Sequence, residues 1–388
     1  MRIAVYGGSF NPPHLGHIEA ARSVMRSLRP DRFLIVPAST PPHKALAEDS
    51  PTPAQRSELC RLAFAEIPQA EVSEIELHRE GKSYTYDTVL QLRREYPEAE
   101  LCLVIGTDML VSFEEWYHFR FLLENCTLAV LSRAEEDGEE LREKAEALRA
   151  EYDAKIVLLP HEPLEACSEK IRERLPLRAG EDLLSDTVYS EIIRRRYYGA
   201  KPELTWLRGK VLDHLDEHRV AHVAGCENEA VQLAVHWGED PELAAEAAIL
   251  HDITKRCSKE QQLQYCEKYG IINNNSEIAN YRLLHAKTGA ALARDLFGVD
   301  DTVYEAIRWH TTGKADMTLF EKILFLADYI EPTRDFEGID ALRALAFEDL
   351  DAAMALGLKM TIEEVSRSGR EVYADTLIAY EWYNKKEK

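Results

Sequence analysis

The spacing of the apolar residues changes near residue 200, and this change limits the possible folds more than any other feature. Before it, short apolar runs alternate with helix-like stretches, as in RIAVYG followed by IEAARSVMRSL. Beyond it, segments such as NEAVQLAVHW and LFEKILFLADYI repeat apolar residues at the i, i+3, i+4 spacing of a helix. The pattern predicts an α/β domain over residues 1–200 and an all-α domain over residues 201–388.

The first domain is predicted to be a doubly wound parallel sheet. Its candidate strands are RIAVYG, RFLIVPAS, AEVSEIEL, LCLVIG, CTLAVLS and AKIVLLP. Helix-like runs lie between them over residues 18–28, 53–64 and 86–96. Strands that alternate with helices favour a parallel sheet covered on both faces. The Gly and Pro of YYGAKPELTW mark the boundary to the second domain.

Charge and composition exclude several classes of function. The net charge is −22, which argues against a nucleic-acid partner because such partners need a basic surface. We find no signal peptide and no apolar run of the roughly 20 residues that a membrane helix needs. The seven cysteines form no CxxC pair, so we expect reduced thiols. Together these features predict a cytoplasmic protein without membrane contact.

The turn GGSFNPPHLGH between the first strand and the first helix predicts a phosphate site. A glycine-rich turn before a helix brings backbone N–H groups close to an anion, and the helix dipole favours it. His14 and His17 can donate to phosphate oxygens, and Gly16 leaves room beside them. Neither the P-loop GxxxxGK[ST] nor the dinucleotide GxGxxG pattern is present. The alternative is a plain turn with two surface histidines. The residues of the turn predicted to bind nucleotide are Gly7, Gly8, Ser9 and Phe10.

The second domain carries histidines and aspartates in or beside apolar helical segments. They are His222, His251, Asp252, His285, His310 and Asp328. A single buried histidine is more often a core residue, but six such positions with an adjacent His-Asp pair favour a metal centre. Imidazole and carboxylate ligands are compatible with Fe, Mn, Co or Zn, and a bridging aspartate suits two metals.

The first domain resembles the nicotinate-nucleotide adenylyltransferases of the HxGH nucleotidyltransferase superfamily over residues 1–200. The strings that carry the resemblance are GGSFNPPHLGH, PASTPPHK, KSYTYDTVL, IGTDML with FEEWYHF, and LSR. The resemblance implies adenylyl transfer from ATP, with Mg²⁺, to nicotinate mononucleotide.

The resemblance also implies roles for individual residues. His14 and His17 would contact the ATP phosphates, helped by Lys44 and by Ser168 and Arg172 of the family's closing motif. Nicotinate would be held by Thr85 and Trp116, and adenosine by Gly106 and Asp108. The matching LSR string ends at Arg133, a further candidate for binding. For Trp116 the alternative is core packing.

One position departs from the family pattern. The closing motif ISSTxIR corresponds here to ACSEKIR, which places Glu169 where the family has threonine. A carboxylate near a triphosphate is repelled by it. Three alternatives are open: the loop aligns differently, Glu169 points away, or this half transfers weakly and acts as a nucleotide-binding regulatory module.

The second domain resembles the HD-domain symmetrical bis(5′-nucleosyl)-tetraphosphatases over residues 204–388. HDITK, LLHAKTGA, WHTTGK and LADYIEPTRDF carry the resemblance, which implies metal-dependent hydrolysis of diadenosine tetraphosphate to two ADP. A rival within the fold, the guanosine-tetraphosphate hydrolase type, typically has an acidic pair after HD, where this chain has Ile-Thr-Lys.

This resemblance implies a two-metal centre, with iron as the expected metal. One metal would be held by His222, His251, Asp252 and Asp328, and the second by His285, His310 and the bridging Asp252. Lys255 would stabilise phosphate charge. Arg308 and Arg334 are candidates for contacting the polyphosphate, with surface charge as the alternative. The expected partners of the whole chain are small nucleotides: ATP, nicotinate mononucleotide and dinucleoside polyphosphates.

Overall fold

A computed structural model describes residues 1–41, 46–79, 81–132, 138–271 and 280–386 of the chain. The chain forms two compact units, Met1–Lys201 and Pro202–Lys388. None of the helices in these described ranges has the length and apolarity that crossing a bilayer requires.

The first unit is built on a six-stranded sheet in the order β3-β2-β1-β4-β5-β6, in which every pairing is parallel. This confirms the predicted doubly wound architecture. The strands are β1 (Arg2–Gly8), β2 (Arg32–Pro37), β3 (Ala70–Val72), β4 (Glu100–Gly106), β5 (Thr127–Ser132) and β6 (Lys155–Pro160). Residues Ile3, Val5, Leu103 and Ile105 are among those that form the core between sheet and helices.

The strand order reverses between β1 and β4, which are neighbours in the middle of the sheet. The chain leaves β1 toward β2 on one side and leaves β4 toward β5 on the other. At such a switch point the loops after the two strands diverge and leave a crevice at their carboxyl ends. Gly8 and Gly106 end these two strands, so the crevice lies at the glycine turn.

The helices of the first unit cover both faces of the sheet. They are α1 (Leu15–Leu28), α2 (Pro53–Phe64), α3 (Thr85–Glu95), α4 (Thr107–Val111), α5 (Phe119–Asn125), α6 (Gly138–Tyr152), α7 (Ser168–Arg174) and α8 (Asp186–Arg195).

The predicted strand AEVSEIEL is wrong in its second half, because β3 ends at Val72. The chain then turns, with the Leu77 N–H donating to the Glu74 carbonyl. The Glu76 carboxylate is buried and accepts a hydrogen bond of 2.6 Å from the Thr88 hydroxyl of α3. Because Glu76 bonds to a side chain of α3, this segment packs against the helix and does not continue the strand beyond Val72.

The described residues of the second unit form helices and the turns between them, with no strand among them, as predicted from the apolar spacing. Its helices are α9 (Leu204–Leu212), α10 (Glu217–Trp237), α11 (Pro241–Leu250), α12 (Lys259–Lys268), α13 (Leu284–Phe297), α14 (Asp301–Trp309), α15 (Leu319–Ile330), α16 (Ile339–Ala346), α17 (Leu350–Arg367) and α18 (Ala374–Lys386). Several begin at a side-chain cap, such as Asp240 before α11 and Thr318 before α15.

Candidate active sites

The two histidines of the glycine turn lie together at the start of α1. His14 is the residue before the helix, and its ring centroid lies 3.7 Å from that of His17. The backbone N–H of His14 donates to Nδ1 of His17 over 3.2 Å. A Cβ on Gly16 would lie 3.1 Å from Nδ1 of His14, so glycine is what allows this ring to fold over the turn.

Burial keeps both rings neutral. Desolvation lowers the pKa of His14 to about 4 and holds the pKa of His17 well below its ordinary value. Because Nδ1 of His17 accepts a hydrogen bond, the ring proton of this neutral imidazole is on Nε2. Nδ1 of His14 is buried and has no hydrogen-bond partner among the described residues. Two neutral imidazoles at a helix N-terminus suit a phosphate group, to which they can donate.

A buried arginine that the sequence analysis missed holds the loops after β1 and β2. Arg56 of α2 is fully buried and donates to the Ser9 carbonyl at 2.6 Å. Its other terminal nitrogen donates to the carbonyls of Ala38 and Ser39 at 2.8 and 3.0 Å. Burial lowers the pKa of Arg56, and the three carbonyls stabilise its charge. No motif pointed to this residue, since an arginine in an amphipathic helix normally faces water.

The closing segment predicted to bind phosphates contacts the backbone of the turn. Ser168 donates from Oγ to the Pro12 carbonyl at 3.0 Å, and Arg172 donates to the Asn11 carbonyl at 2.6 Å. The structure therefore brings Ser168 and Arg172 to the histidine turn, as the sequence led us to expect. Glu169, in the first turn of α7, is exposed.

The side chain of Asn11 is held as firmly as its backbone. Its amide donates to the Ser50 hydroxyl at 2.8 Å, and its carbonyl oxygen accepts from the Tyr198 hydroxyl at 2.8 Å. Tyr198 lies at the end of the first unit and is buried. Hydrogen bonds thus connect the glycine turn to α2, to α7 and to the last residues of its own unit.

A cavity of about 200 Å³ opens beside the turn at the carboxyl ends of β1 and β4. Trp116 lines this cavity and also stacks on Phe113, with ring centroids 5.0 Å apart, so the ring packs on the core while facing the cavity. Of the predicted binding residues, the cavity is lined by Gly7, Gly8, Ser9, Thr85 and Trp116.

The remaining predicted residues of this half differ in placement. The Phe10 ring is fully buried against Tyr6 and Phe64, so only its backbone can face a ligand. Gly106 ends β4, where a Cβ would lie 2.7 Å from Oδ1 of the exposed Asp108. Lys44 and Arg133 lie outside the described residues.

In the second unit the six predicted metal ligands converge from different helices. His222 is in the second turn of α10, His285 is in the first turn of α13 and Asp328 is near the end of α15. Helix α11 ends at Leu250, so the adjacent His251 and Asp252 both turn inward from a helix end. His310 directly follows α14, and all four histidine rings are buried.

Asp252 bridges the two halves of this cluster. Its Oδ2 lies 3.7 Å from Nε2 of His222 and 3.6 Å from Nε2 of His251. Its Oδ1 lies 3.2 Å from Nε2 of His285 and 3.7 Å from Nε2 of His310. Asp328 completes the first half, with Oδ1 at 3.1 Å from Nε2 of His222. The groups whose ligand atoms lie close enough to share one metal ion are His222, His251 and Asp328, and His251, Asp252 and His310.

The protonation of the rings shows that the cluster fits a cation. Nδ1 of His251, His285 and His310 faces a backbone carbonyl at 2.5–2.6 Å and must therefore carry the ring proton. Burial lowers the pKa of His251 and His285 to about 4, so these rings are neutral and their Nε2 lone pairs face inward. Nε2 of His285 lies 3.1 Å from that of His310, and Oδ1 of Asp252 is buried without a hydrogen-bond partner among the described residues. Lone pairs this close repel each other, and positive charge reduces the repulsion, whether from the Lys255 ammonium 2.9 Å from Nε2 of His285 or from a metal ion.

The acidic members of the cluster remain charged. Burial alone would raise the pKa of Asp252, but the facing His251 and Lys255 hold it well below its ordinary value. Burial of His222 works against its positive form, but Asp328 and Glu331 raise its pKa overall. A position that favours positive charge on a ring also favours a metal ion, and the chemistry of the donors suits a divalent transition metal.

Basic side chains surround the cluster. Lys255 lies 2.9 Å from Nε2 of His285, and Arg334 donates to Oδ1 of Asp328 at 2.8 Å. Arg219, which the sequence analysis missed, donates to Oδ2 of Asp252 at 2.8 Å. Arg219 precedes His222 by three residues on the same helix, and this spacing, which places both side chains on one face, could have identified it. Arg308 lies over the ring of Trp309 and 3.6 Å from the Glu305 carboxylate.

Comparisons with known proteins match the two units separately. The cytidylyltransferase-like family model matches residues 5–174, and the HD domain model matches residues 219–333. A Carboxydothermus hydrogenoformans protein named "Probable nicotinate-nucleotide adenylyltransferase" is 33% identical over 51% of this chain and 98% of its own length. A Bacillus subtilis protein named "Bis(5′-nucleosyl)-tetraphosphatase, symmetrical" is 38% identical over 44% of this chain and 92% of its own length.

A solved structure also matches the second unit. It is described as a "predicted HD superfamily hydrolase involved in NAD metabolism" from Clostridium acetobutylicum and is 36% identical. The match covers 47% of this chain and 97% of that chain, with a TM-score of 0.46.

Proposed function

Because the chain belongs to the nicotinate-nucleotide adenylyltransferases in its first half and to the symmetrical bis(5′-nucleosyl)-tetraphosphatases in its second, we propose that it is a bifunctional enzyme. Residues 1–200 transfer an adenylyl group from ATP to nicotinate mononucleotide. Residues 201–388 hydrolyse diadenosine tetraphosphate to two ADP. The observation that carries the proposal is that each unit holds its own cluster of suitable side chains, one fitted to an anion and the other to a cation.

In the adenylyl transfer, the phosphate of the mononucleotide attacks the α-phosphorus of ATP and pyrophosphate leaves. The substrate supplies the nucleophile, so the protein has only to align two anions and stabilise the charge that develops on the transferred phosphate. His17 can donate from Nε2 to that phosphate, and His14 lies directly beside it. Mg²⁺ that accompanies ATP would neutralise the remaining phosphates.

Ser168, Arg172 and Arg56 act by holding the turn in shape, since each donates to a carbonyl of the loops around it. Trp116 and Thr85 line the cavity in which the nicotinate ring would lie, and Gly106 ends the strand beside it. The exposure of Glu169 supports an active site, because an exposed carboxylate need not approach the triphosphate.

In the hydrolysis, water adds across the central phosphoanhydride and the two halves leave as ADP. His222, His251, Asp252 and Asp328 would hold one metal, and His285, His310 and Asp252 a second. Bound metal would polarise both water and phosphoryl oxygens. Lys255 and Arg219 lie within 4 Å of the Asp252 carboxylate, and Arg334 lies within 4 Å of the Asp328 carboxylate. A polyphosphate chain bound at the cluster would therefore lie next to positive charge. We propose iron as the metal, with manganese, cobalt and zinc as the other candidates that the ligands admit.

The test of the first activity is pyrophosphate release with Mg-ATP and nicotinate mononucleotide, beside nicotinamide mononucleotide. Release with the acid supports the proposal. ATP binding without pyrophosphate release, in protein that still splits diadenosine tetraphosphate, would instead identify the first unit as a regulatory nucleotide-binding module.

The test of the second activity is chromatography of the products from diadenosine tetraphosphate with Fe²⁺ or Mn²⁺ added. Two ADP molecules are expected from each substrate. Formation of AMP and ATP would contradict the symmetrical cleavage, and activity that survives a chelator would contradict the metal centre.

A further inference from the structure

One imidazole of the metal cluster is oriented differently from the other three. His251, His285 and His310 each direct Nδ1 to the backbone carbonyl three residues before them: Ala248, Arg282 and Ile307. His222 directs Nδ1 to a side chain instead, the Glu331 carboxylate, with 3.1 Å between Nδ1 and Oε1.

The position of His222 in its helix explains the difference. His251 and His310 directly follow the last turns of α11 and α14, where the final carbonyls lack the N–H of a next helical turn. The carbonyl that His285 faces belongs to Arg282, which precedes helix α13. His222 lies inside the long helix α10, where the carbonyls of the preceding turn are already bonded. A carboxylate from another segment is therefore needed to fix this ring.

Burial and two hydrogen bonds from Thr333 hold the Glu331 carboxylate in this position. Its side chain is 0% exposed, although it is charged. The backbone N–H of Thr333 donates to Oε2 at 2.7 Å, and the Thr333 hydroxyl donates to Oε1. The carboxylate fits against α10 only because residue 225 is glycine: a Cβ there would lie 2.6 Å from Oε2.

We propose that Glu331 is a positioning residue for the metal held by His222. By accepting a hydrogen bond from Nδ1–H it fixes the tautomer and rotation of the ring, so that Nε2 faces Asp328 at 3.1 Å and Asp252 at 3.7 Å. Glu331 follows Asp328 by three residues, so one helix end supplies both a ligand and the group that orients a second ligand. The inference rests on the proposed function of this unit.

The experiment is a calorimetric titration of the full chain with Mn²⁺ alone. Glu331→Gln should weaken one of the binding steps about 10- to 100-fold, the usual cost of removing the partner of a metal-bound histidine. Gly225→Ala should weaken the same step while leaving the carboxylate chemically intact, because its Cβ displaces Glu331. Since alanine is the better helix former, this second variant is expected to fold.

Gly209→Ala is the matched control. It makes the same change inside helix α9, where, apart from the neighbouring backbone of that helix, no atom of the described residues lies within 4 Å of the added Cβ. Mn²⁺ binding should equal that of the wild type. With diadenosine tetraphosphate, Glu331→Gln should lower kcat with little change in KM, because Glu331 acts through His222.

Two results would overturn the inference in different ways. Wild-type Mn²⁺ binding in folded Glu331→Gln and Gly225→Ala would show that Glu331 does not position His222, while the metal centre stands. A wild-type chain that binds no Mn²⁺ would remove the metal centre itself, and the inference with it. Circular dichroism of each variant separates a lost metal site from a lost fold.

Discussion

Histidines are used in opposite ways in the two units. In the first, His17 accepts a hydrogen bond at Nδ1 and presents an N–H at Nε2. In the second, His251, His285 and His310 donate from Nδ1 and present a lone pair at Nε2. Burial lowers the pKa of His14 as it does those of His251 and His285, each to about 4.

The difference teaches that burial does not decide what a histidine site binds. Neutral rings in both units differ in which nitrogen the protein itself occupies, and that choice fixes whether a donor or an acceptor is left for the ligand. Carboxylates strengthen the contrast. Asp252 and Asp328 lie among the rings of the second unit, whereas among the described residues His14 and His17 form no ion pair with a carboxylate.

The largest effect is expected from Asp252→Ala, which removes the group that links both halves of the cation site. Hydrolysis of diadenosine tetraphosphate should fall by at least about a thousandfold, because metal-assisted catalysis is lost. Bound metal, measured by elemental analysis, should fall with it. Adenylyl transfer by the same preparation should not change. Loss of both activities in folded protein would show that the two sites are not independent.

His17→Ala is the reciprocal change and should have the next largest effect. Removing one donor to a developing phosphate charge costs about 100- to 1000-fold in rate, so pyrophosphate release should fall by that amount. Hydrolysis serves as the internal control and should be unaffected. Retention of adenylyl transfer would mean that the donor of the first site is another residue.

The sequence predicts the fold class and six His and Asp positions that the structure brings together, because both rest on patterns that local chemistry imposes. Apolar spacing reports which face of an element is buried, and His and Asp are the usual ligands of transition metals. It missed Arg56, Tyr198 and Glu331, whose partners lie far along the chain. Such contacts arise only when folding brings distant segments together. It also extended β3 too far, since a buried Glu76 bonded to α3 leaves no local signal.

The acid response of the first unit should reveal the neutral state of its histidines. The folded pKa of His14, about 4, lies below the unfolded value of about 6.5. The unfolded chain therefore binds more protons between these values, and stability is lost as pH falls from 6.5 toward 4, by up to about 3 kcal/mol. His14→Asn should remove the part of this loss that His14 causes and leave the part that the buried His17 causes.

Hydrogen exchange of the β1 amides, corrected for intrinsic rates, measures this response. His78→Asn is the control, since the side chain of His78 is 83% exposed and the variant should lose stability as the wild type does. Equal acid sensitivity of His14→Asn and wild type would contradict a buried neutral His14.

The smallest effect is expected from Tyr198→Phe, which tests whether the anion site depends on its supporting hydrogen bonds. The change removes one hydroxyl, the donor to Oδ1 of Asn11 at 2.8 Å, and costs about 1 kcal/mol. If this hydrogen bond stabilises the turn in its active shape, the lost free energy corresponds to about a fivefold loss of kcat/KM for ATP.

The neighbouring Tyr197→Phe makes the same chemical change on a half-buried ring and should leave adenylyl transfer as it is. An equal loss in both variants would assign the effect to the stability of the unit's last turn. A loss confined to Tyr198→Phe, with hydrolysis unchanged, would show that adenylyl transfer at the glycine turn depends on a hydrogen bond between residues 187 positions apart in the chain. The cation site differs, because its ligands themselves come from helices that are distant along the chain. Removing one ligand therefore changes the shape of the site and removes a metal-binding atom at the same time.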